Sequence, residues 1–284
     1  MMNDIDSEIN DEIIEMSPKG RYGRYLQQLG SGAYKIVYKG IDYDEEMTEI
    51  AWNVINVGKL SKREKERVVS EINILLKLQH DNIIKIKAVW YNNTKQEVIF
   101  ITDLISGGSL KDFITKFYES LNENDKLNHI LKWSKQILNA LIYIHQQDII
   151  HRDLKCANIL INNHDLKIFV SDFGLATLKS KKKNSCVGTI EYMAPEIYEN
   201  FYDEKVDIYA FGMCLLEMIT NEIPYTECEN IHQIYKKTIT GILPESLNKI
   251  KNMKLKKLIK KLIGKKKHRP SAKHLYEIID SYFT

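Results

Sequence analysis

Asp153, Asn158 and Asp172 carry side-chain oxygens at spacings that suit phosphoryl transfer. The first two lie in His151-Arg152-Asp153-Leu154-Lys155-Cys156-Ala157-Asn158, and the third opens Asp172-Phe173-Gly174, fourteen residues after Asn158. Phosphoryl transfer asks a protein for little covalent chemistry: a hydroxyl must be positioned and the charge on phosphate oxygens held. The Asp153 carboxylate can accept the hydroxyl proton. The Asn158 carboxamide, five residues on, can bind a magnesium ion, and Asp172 can hold a metal that bridges phosphate oxygens. Polar turns satisfying their own backbone would use the same residue types, but they do not require eight fixed letters in two spaced blocks.

Strands and helices must position these groups. Residues 22–57 alternate as strands do: Tyr25 to Leu29 runs into Gly30-Ser31-Gly32-Ala33-Tyr34-Lys35-Ile36-Val37-Tyr38-Lys39-Gly40, and Glu49 to Val57 follows as a third strand. Two glycines at a turn let backbone amides approach phosphates closely, although ordinary hairpins use such pairs too. The spacing predicts a helix over 61–79, with Val68, Ile72, Leu75 and Leu76 facing inward. Glu71 sits on that apolar stripe, where an unpaired charge is costly. Glu97 to Ile101 reads as a strand that leaves through Thr102-Asp103-Leu104-Ile105, and helices are expected over 126–147 and 205–220.

With 284 residues the chain can bury a substantial core, and 44% apolar content fits a folded protein. A formal net charge of +3 gives no reason to expect a nucleic-acid partner. Residues 1–16 hold six acids and no Lys or Arg; without a basic start or an apolar run they are not a signal peptide, and residues 1–21 are expected to be a flexible acidic leader. The apolar run from Tyr209 to Ile219 contains Glu217 and is too short to span a bilayer, so no membrane partner is expected. Cys156, Cys186, Cys214 and Cys228 form no metal-binding spacing and fit reduced thiols in a cytoplasmic protein. Leu255, Leu258, Ile259, Leu262 and Ile263 share one helical face, which could lie on an acidic membrane or partner but is expected to face the core with a solvated lysine face opposite.

The catalytic and metal blocks resemble those of protein kinases. One position departs from the usual pattern. Ile50-Ala51-Trp52-Asn53 places Asn53 where that family has its phosphate-binding lysine, and Lys35 replaces the third loop glycine. Side chains alternate along a strand, so Lys35 should share a face with Val37. This relocation resembles the with-no-lysine (WNK) Ser/Thr protein kinases. The likeness continues through Leu78-Gln79-His80, Gly174-Leu175-Ala176-Thr177-Leu178-Lys179 and Tyr209-Ala210-Phe211-Gly212-Met213-Cys214, covering about residues 22–283.

The resemblance implies an α+β, two-lobed kinase fold. Residues 22–105 would form a small antiparallel sheet with one helix and the hinge, and 106–284 a larger, mostly helical lobe, with 22–284 as one kinase domain. It implies ATP and Mg2+ as cofactors, with Leu29, Gly30, Ser31, Gly32, Lys35, Val37, Ala51, Thr102, Asp103, Ile105, Asn158, Leu160 and Asp172 around the nucleotide. Thr102 would be the gatekeeper, and the backbone of Asp103 and Ile105 would meet the adenine edge. Asp153 would be the base, Lys155 and Lys35 would offset phosphate charge, and Thr189 would tie the substrate-side loop to Asp153. Regulation would fall to Ser185 as a phosphorylation site, to Arg152 as the partner of its phosphate, and to Glu71, whose partner would be Lys35. Glu196 and Arg269 would form a buried structural pair. Partners would be protein substrates bearing Ser or Thr, downstream kinases among them, with the chain a monomer or a transient dimer. Family members commonly carry leucine after the metal-binding aspartate, beside a chloride pocket; Phe173 should fill that space. A pseudokinase scaffold is the rival reading, and it would need none of Asp153, Asn158 and Asp172. A conventional kinase recruiting Lys39 or Lys59 is another.

Overall fold

Alternating apolar and polar residues in the first third of the chain build one antiparallel sheet. The computed structural model describes residues 12–32, 35–117, 121–179, 187–199 and 201–282. The strands are β1 (Ile13–Met16), β2 (Tyr22–Ser31), β3 (Lys35–Asp42), β4 (Thr48–Asn56), β5 (Ile86–Asn92) and β6 (Glu97–Asp103), in the order β1-β2-β3-β4-β6-β5. Pairing sets the faces. Lys35 opposes Ile55, Val37 opposes Asn53, and Asn53 opposes Phe100, while Ala51 lies between Lys39 and Thr102. Directly opposed residues point the same way, so Lys35, Val37, Ala51, Asn53, Phe100 and Thr102 share one face. The other face carries the apolar cluster of Tyr22, Ile50, Trp52, Ile99 and Ile101, against which Tyr38, Val54, Ala88 and Trp90 pack. Trp52 and Trp90 meet edge to face with centroids 5.0 Å apart.

The expected flexible leader needs correction over residues 12–21. Ile13, Ile14 and Met16 bring strand-forming side chains to β1, which pairs with β2 through Ile13–Tyr25, Glu15–Arg24 and Met16–Gly23. Arg24 also binds Glu15 at 3.1 Å, so this acid pins the strand down. A Cβ on Gly23 would come within 2.9 Å of the Ile13 side chain, which explains the glycine there. Residues 1–11 lie outside the described residues.

Helix α1 (Lys62–Leu75) starts at a capping box: the Ser61 hydroxyl accepts from the Glu64 amide at 3.4 Å, and the Glu64 carboxylate accepts from the Ser61 amide at 2.7 Å. It ends sooner than its apolar pattern suggests. Leu76 is the C-cap and is 47% exposed, not inward. The chain divides into two compact units, one comprising the chain up to Lys77 with Ile84–Ile105, the other Leu78–Ile83 with everything from Ser106 on. Hydrogen bonds explain the excursion at 78–83. The Gln79 amide donates to the Tyr143 hydroxyl at 3.0 Å, and the Asn82 carboxamide donates to Gln136 and to the Ile168 carbonyl, both at 3.0 Å.

In the second unit lie α2 (Leu110–Phe117), α3 (Glu123–Gln146), α4 (Lys205–Thr220), α5 (Ile231–Thr240), α6 (Met253–Leu262) and α7 (Ala272–Asp280), with two small hairpin-like pairs. One pair joins β7 (Ile149–Ile150) to β10 (Thr177–Leu178), the other β8 (Ile159–Ile161) to β9 (Ile168–Val170). Helix α4 is buried from Val206 to Met218. Gly212 is where α6 comes closest, since a Cβ there would lie 2.8 Å from Leu262 and Ile263. Leu255, Leu258, Ile259, Leu262 and Ile263 are all buried, as the spacing predicts. Cys156, Cys214 and Cys228 are free thiols, and no helix among the described residues is long and apolar enough to cross a membrane.

Candidate functional site

The loop 151–158 is held between β7 and β8, and Asp172 follows β9 after one residue. These short strands fix where the oxygen-bearing side chains start. The Asp153 carboxylate then draws four groups together. One oxygen accepts from the Thr189 amide at 2.9 Å and from its hydroxyl at 2.7 Å. The other accepts from the Asn158 carboxamide nitrogen at 3.0 Å and lies 3.2 Å from the Lys155 ammonium. Lys155 also donates to the Thr189 hydroxyl at 2.7 Å, so that hydroxyl passes its hydrogen to Asp153 and receives one from the lysine. The link expected of Thr189 is present.

Asn158 also donates to the Asp153 carbonyl at 2.9 Å. Both of its donated bonds run from the carboxamide nitrogen, which leaves the carboxamide oxygen for a cation. Its backbone carbonyl receives the amide and the hydroxyl of Ser171, each at 2.9 Å, and so couples Asn158 to the residue before Asp172. Asp172 has a left-handed backbone with φ 59°, and its carboxylate accepts from the Gly174 amide at 3.3 Å. Two hard oxygen donors fit magnesium, which takes one or two protein ligands and completes its shell with phosphates and water. Groups of three or more His, Cys, Asp or Glu able to hold a metal alone are absent among the described residues.

Asp207 beneath this loop was not singled out from the sequence. It is fully buried on α4 and accepts from the backbone amides of His151 and Arg152, both at 2.9 Å, and lies 2.8 Å from the His145 ring nitrogen. Burial pushes its carboxyl upward, but the bonds from His145 and Arg152 and the nearby imidazoles outweigh that and hold it below the usual carboxylate value. Arg152 is thereby kept at φ 69°, a strained region for a residue with a side chain. A charge inside an otherwise apolar helix was the available signal, since it must be paid for by partners. Glu217, on the same helix, behaves oppositely. Burial raises its carboxyl although the Tyr192 hydroxyl donates to it at 2.7 Å.

Arg152 sends its guanidinium to the Leu175 carbonyl and to the Tyr202 hydroxyl at 3.0 Å. Ser185, its expected phosphate-bearing partner, lies outside the described residues. Phe173 is buried edge-on against His151, centroids 4.8 Å apart. Leu160 is half-buried and pairs with Phe169 across β8 and β9. Glu196 and Arg269 form the expected buried pair, with Nη2 to Oε2 at 3.0 Å, and Arg269 also donates to the Gly264 carbonyl at 2.9 Å.

The small unit carries the other candidates. Leu29, Gly30 and Ser31 end β2, and the Gly32 amide donates to the Lys35 carbonyl at 2.7 Å to close the turn; Ala33 and Tyr34 lie outside the described residues. A Cβ on Gly30 would touch no protein atom within 4 Å, so packing does not account for that glycine, whereas a phosphate needing close backbone approach would. The Asn53 carboxamide is buried and donates to the Ala51 carbonyl at 3.2 Å, the Phe100 carbonyl at 3.3 Å and the Thr102 hydroxyl at 3.4 Å. Its nitrogen is used in holding the sheet and the Thr102 side chain. The Lys35 ammonium crosses β4 diagonally and stands 5.9 Å from the centroid of Phe100, the residue paired with Asn53. The expected Lys35–Glu71 pair is not formed within 4.0 Å; the ring face of Phe100 takes the ammonium, and Glu71 is buried on α1. Lys39 is bound to Glu49 at 2.6 Å, and Lys59 is exposed after β4. Asp103 and Ile105 are half-buried at the end of the unit, with Asp103 3.1 Å from Lys87.

Comparisons with known proteins agree with this geometry. The protein kinase domain model matches residues 24–279. The chain is 41% identical over 269 residues to the probable serine/threonine-protein kinase WNK10 of Arabidopsis thaliana, covering 93% of this chain and 50% of that protein. It is equally identical over the same length to the serine/threonine-protein kinase WNK8 of Arabidopsis thaliana, covering 93% of this chain and 47% of that protein. The chain thus spans about half the length of the curated relatives it matches. With the family model spanning most of its length, the chain belongs to the protein kinase family, and the two relatives it resembles carry with-no-lysine kinase names.

Proposed function

We propose that the chain is an ATP-dependent protein serine/threonine kinase acting in intracellular signalling. The observation that carries this reading is the network in which Asp153 binds Thr189, Asn158 and Lys155 at once. Asp153 orients a substrate hydroxyl and takes its proton; Lys155, held by Asp153 and Thr189, offsets charge on the transferring phosphoryl group. Asn158 and Asp172 are the side chains that would hold magnesium, which when bound would offset the charge on the phosphates. Lys35 supplies the cation that Asn53 lacks, and the Gly30 and Gly32 amides approach the phosphates. Thr102, Asp103, Ile105, Val37, Ala51 and Leu160 serve the base. Ser185 is the site where a phosphate would recruit Arg152 and order the loop.

The test is transfer of labelled phosphate from ATP to a generic basic protein substrate by the purified chain. Wild type is expected to be active, Asp153→Asn and Lys35→Met inactive, and Asn53→Ala to keep much of the activity. Equal transfer by wild type and Asp153→Asn would refute the reading of the catalytic loop. Equal transfer by wild type and Lys35→Met would refute the relocated lysine alone.

A further inference from the structure

From Lys249 to Tyr276 the sequence contains eleven Lys and one Arg without a single Asp or Glu. The fold sorts these cations. Helix α6 buries Leu255, Leu258, Ile259 and Leu262, which forces the lysines between them outward. Lys249, Lys266 and Arg269 have carboxylate partners in Glu222, Asp203 and Glu196. Among the described residues no carboxylate lies within 4.0 Å of Lys251, Lys254, Lys257, Lys260, Lys261, Lys265, Lys267 or Lys273, and all eight are exposed. Met253 stands among them, 61% exposed, on the side of α6 away from its buried stripe.

We infer that this ridge, α6 with the segment leading into α7, is a peripheral docking surface for an anionic lipid bilayer. The inference does not depend on the proposed activity. Lys254, Lys257, Lys260 and Lys261 lie on the outer arc of α6, opposite its buried stripe; like charges this close repel one another, and a polyanionic partner would relieve that repulsion. A helix offering lysines around its outer arc presents a ridge, which suits a flat charged surface. An acidic peptide needs a groove to fix its register, and of the three lysines on the wall of the cavity of about 780 Å³ at the start of the ridge, Lys126 and Lys249 are already paired with Glu123 and Glu222, leaving Lys251 alone. A nucleic acid is served poorly, since residues 249–275 contain no Phe, Tyr or Trp to stack on a base. Because the apolar face of α6 is used in the core, the helix cannot sink into the acyl region. Attachment would be electrostatic, sensitive to salt, with Met253 the one apolar contact on the helix.

The full chain is tested by co-sedimentation with phosphatidylcholine vesicles, with and without about 30 mol % phosphatidylserine, at about 0.1 M and about 0.5 M salt. Binding is expected only with phosphatidylserine and only at the lower salt. Each lysine near such a surface strengthens binding about fivefold, so Lys257→Glu/Lys260→Glu/Lys261→Glu should weaken it by at least about 100-fold. The control Lys62→Glu/Lys65→Glu/Lys77→Glu alters net charge equally at exposed sites on and beside α1 and should stay within about threefold of wild type. Melting temperatures of both variants near that of wild type establish that they are folded. Absence of binding to phosphatidylserine vesicles, equal binding to neutral ones, or equal loss in both variants would overturn the inference. So would displacement from the vesicles by a stoichiometric amount of short duplex DNA or polyglutamate, which would assign the ridge to a different polyanion.

Discussion

Two buried carboxylates on α4 should respond oppositely to the same isosteric change. Asp207 is fully buried and receives two backbone amides and an imidazole nitrogen at 2.8 to 2.9 Å. Asp207→Asn keeps one oxygen and turns an NH2 toward a group that donates. At least one amide of the catalytic loop then faces another donor. Losing one or two charge-assisted bonds, each worth about 1.5–3 kcal/mol, predicts a loss of roughly 2–5 kcal/mol. Against a total of about 5–15 kcal/mol this is a large share of the stability. Arg152, held at φ 69°, would be free to relax, and Asp153 beside it would move. A displacement of about 1 Å at the base can cost about 100-fold in turnover. Glu217→Gln removes a carboxylate that burial disfavours, while the Tyr192 hydroxyl can still donate to the remaining oxygen. It should leave stability at pH 7 unchanged or raise it by about 1 kcal/mol.

The pH dependences have opposite signs. Asp207 titrates below its ordinary value in the folded chain, so its contribution is present above about pH 4 and is lost as pH falls through the folded pKa. Glu217 titrates above its ordinary value, so its effect is most favourable in acid and worsens as pH rises from about 4 through the raised pKa. Urea unfolding of wild type and both variants between pH 3 and pH 8, with phosphoryl transfer measured at neutral pH, reads all of this. If Asp207→Asn unfolds within about 0.5 kcal/mol of wild type and keeps its turnover, the clamp assigned to Asp207 is wrong. If Glu217→Gln costs more than about 2 kcal/mol, burial is not the dominant influence on Glu217.

Thr189→Val removes the hydroxyl shared by Asp153 and Lys155, and turnover should fall about 10- to 100-fold with little change in KM for ATP, while Thr189→Ser should stay within about threefold. Initial rates at varied ATP decide it. Arg269→Leu strands the Glu196 carboxylate and the Gly264 and Lys205 carbonyls, so urea unfolding should show a loss of about 3–5 kcal/mol, with part of it recovered in Glu196→Leu/Arg269→Leu. Phe173 is 1% exposed and packed on His151, and its ring is expected to fill the space an anion would need. Melting temperatures in sodium chloride and sodium gluconate at equal ionic strength should therefore agree, and a rise in chloride alone would show a bound ion.

What could be read from the sequence depended on whether a feature is local. The side on which Lys35 emerges follows from strand parity relative to Val37, a rule that needs only two residues. Its destination does not, because Phe100 joins the face only when β6 pairs with β4. For the same reason the stripe position of Glu71 suggests a partner for Lys35 without showing that the ammonium stands 5.9 Å from the Phe100 ring centroid. Strand β1 was hidden by composition: six acids in sixteen residues outweighed the short run Ile13-Ile14-Glu15-Met16, and Arg24 on β2 supplies the charge that makes Glu15 tolerable there. Asp207 shows the limit most clearly. The motif letters around Asp153 name the groups that can do chemistry, yet the backbone that carries them is strained at Arg152 and is held by a carboxylate 55 residues away. A chain could keep every letter of the catalytic loop and still lose its geometry with Asp207, so the buried acid on α4 belongs to the site as a positioning residue as firmly as the loop belongs to it by chemistry.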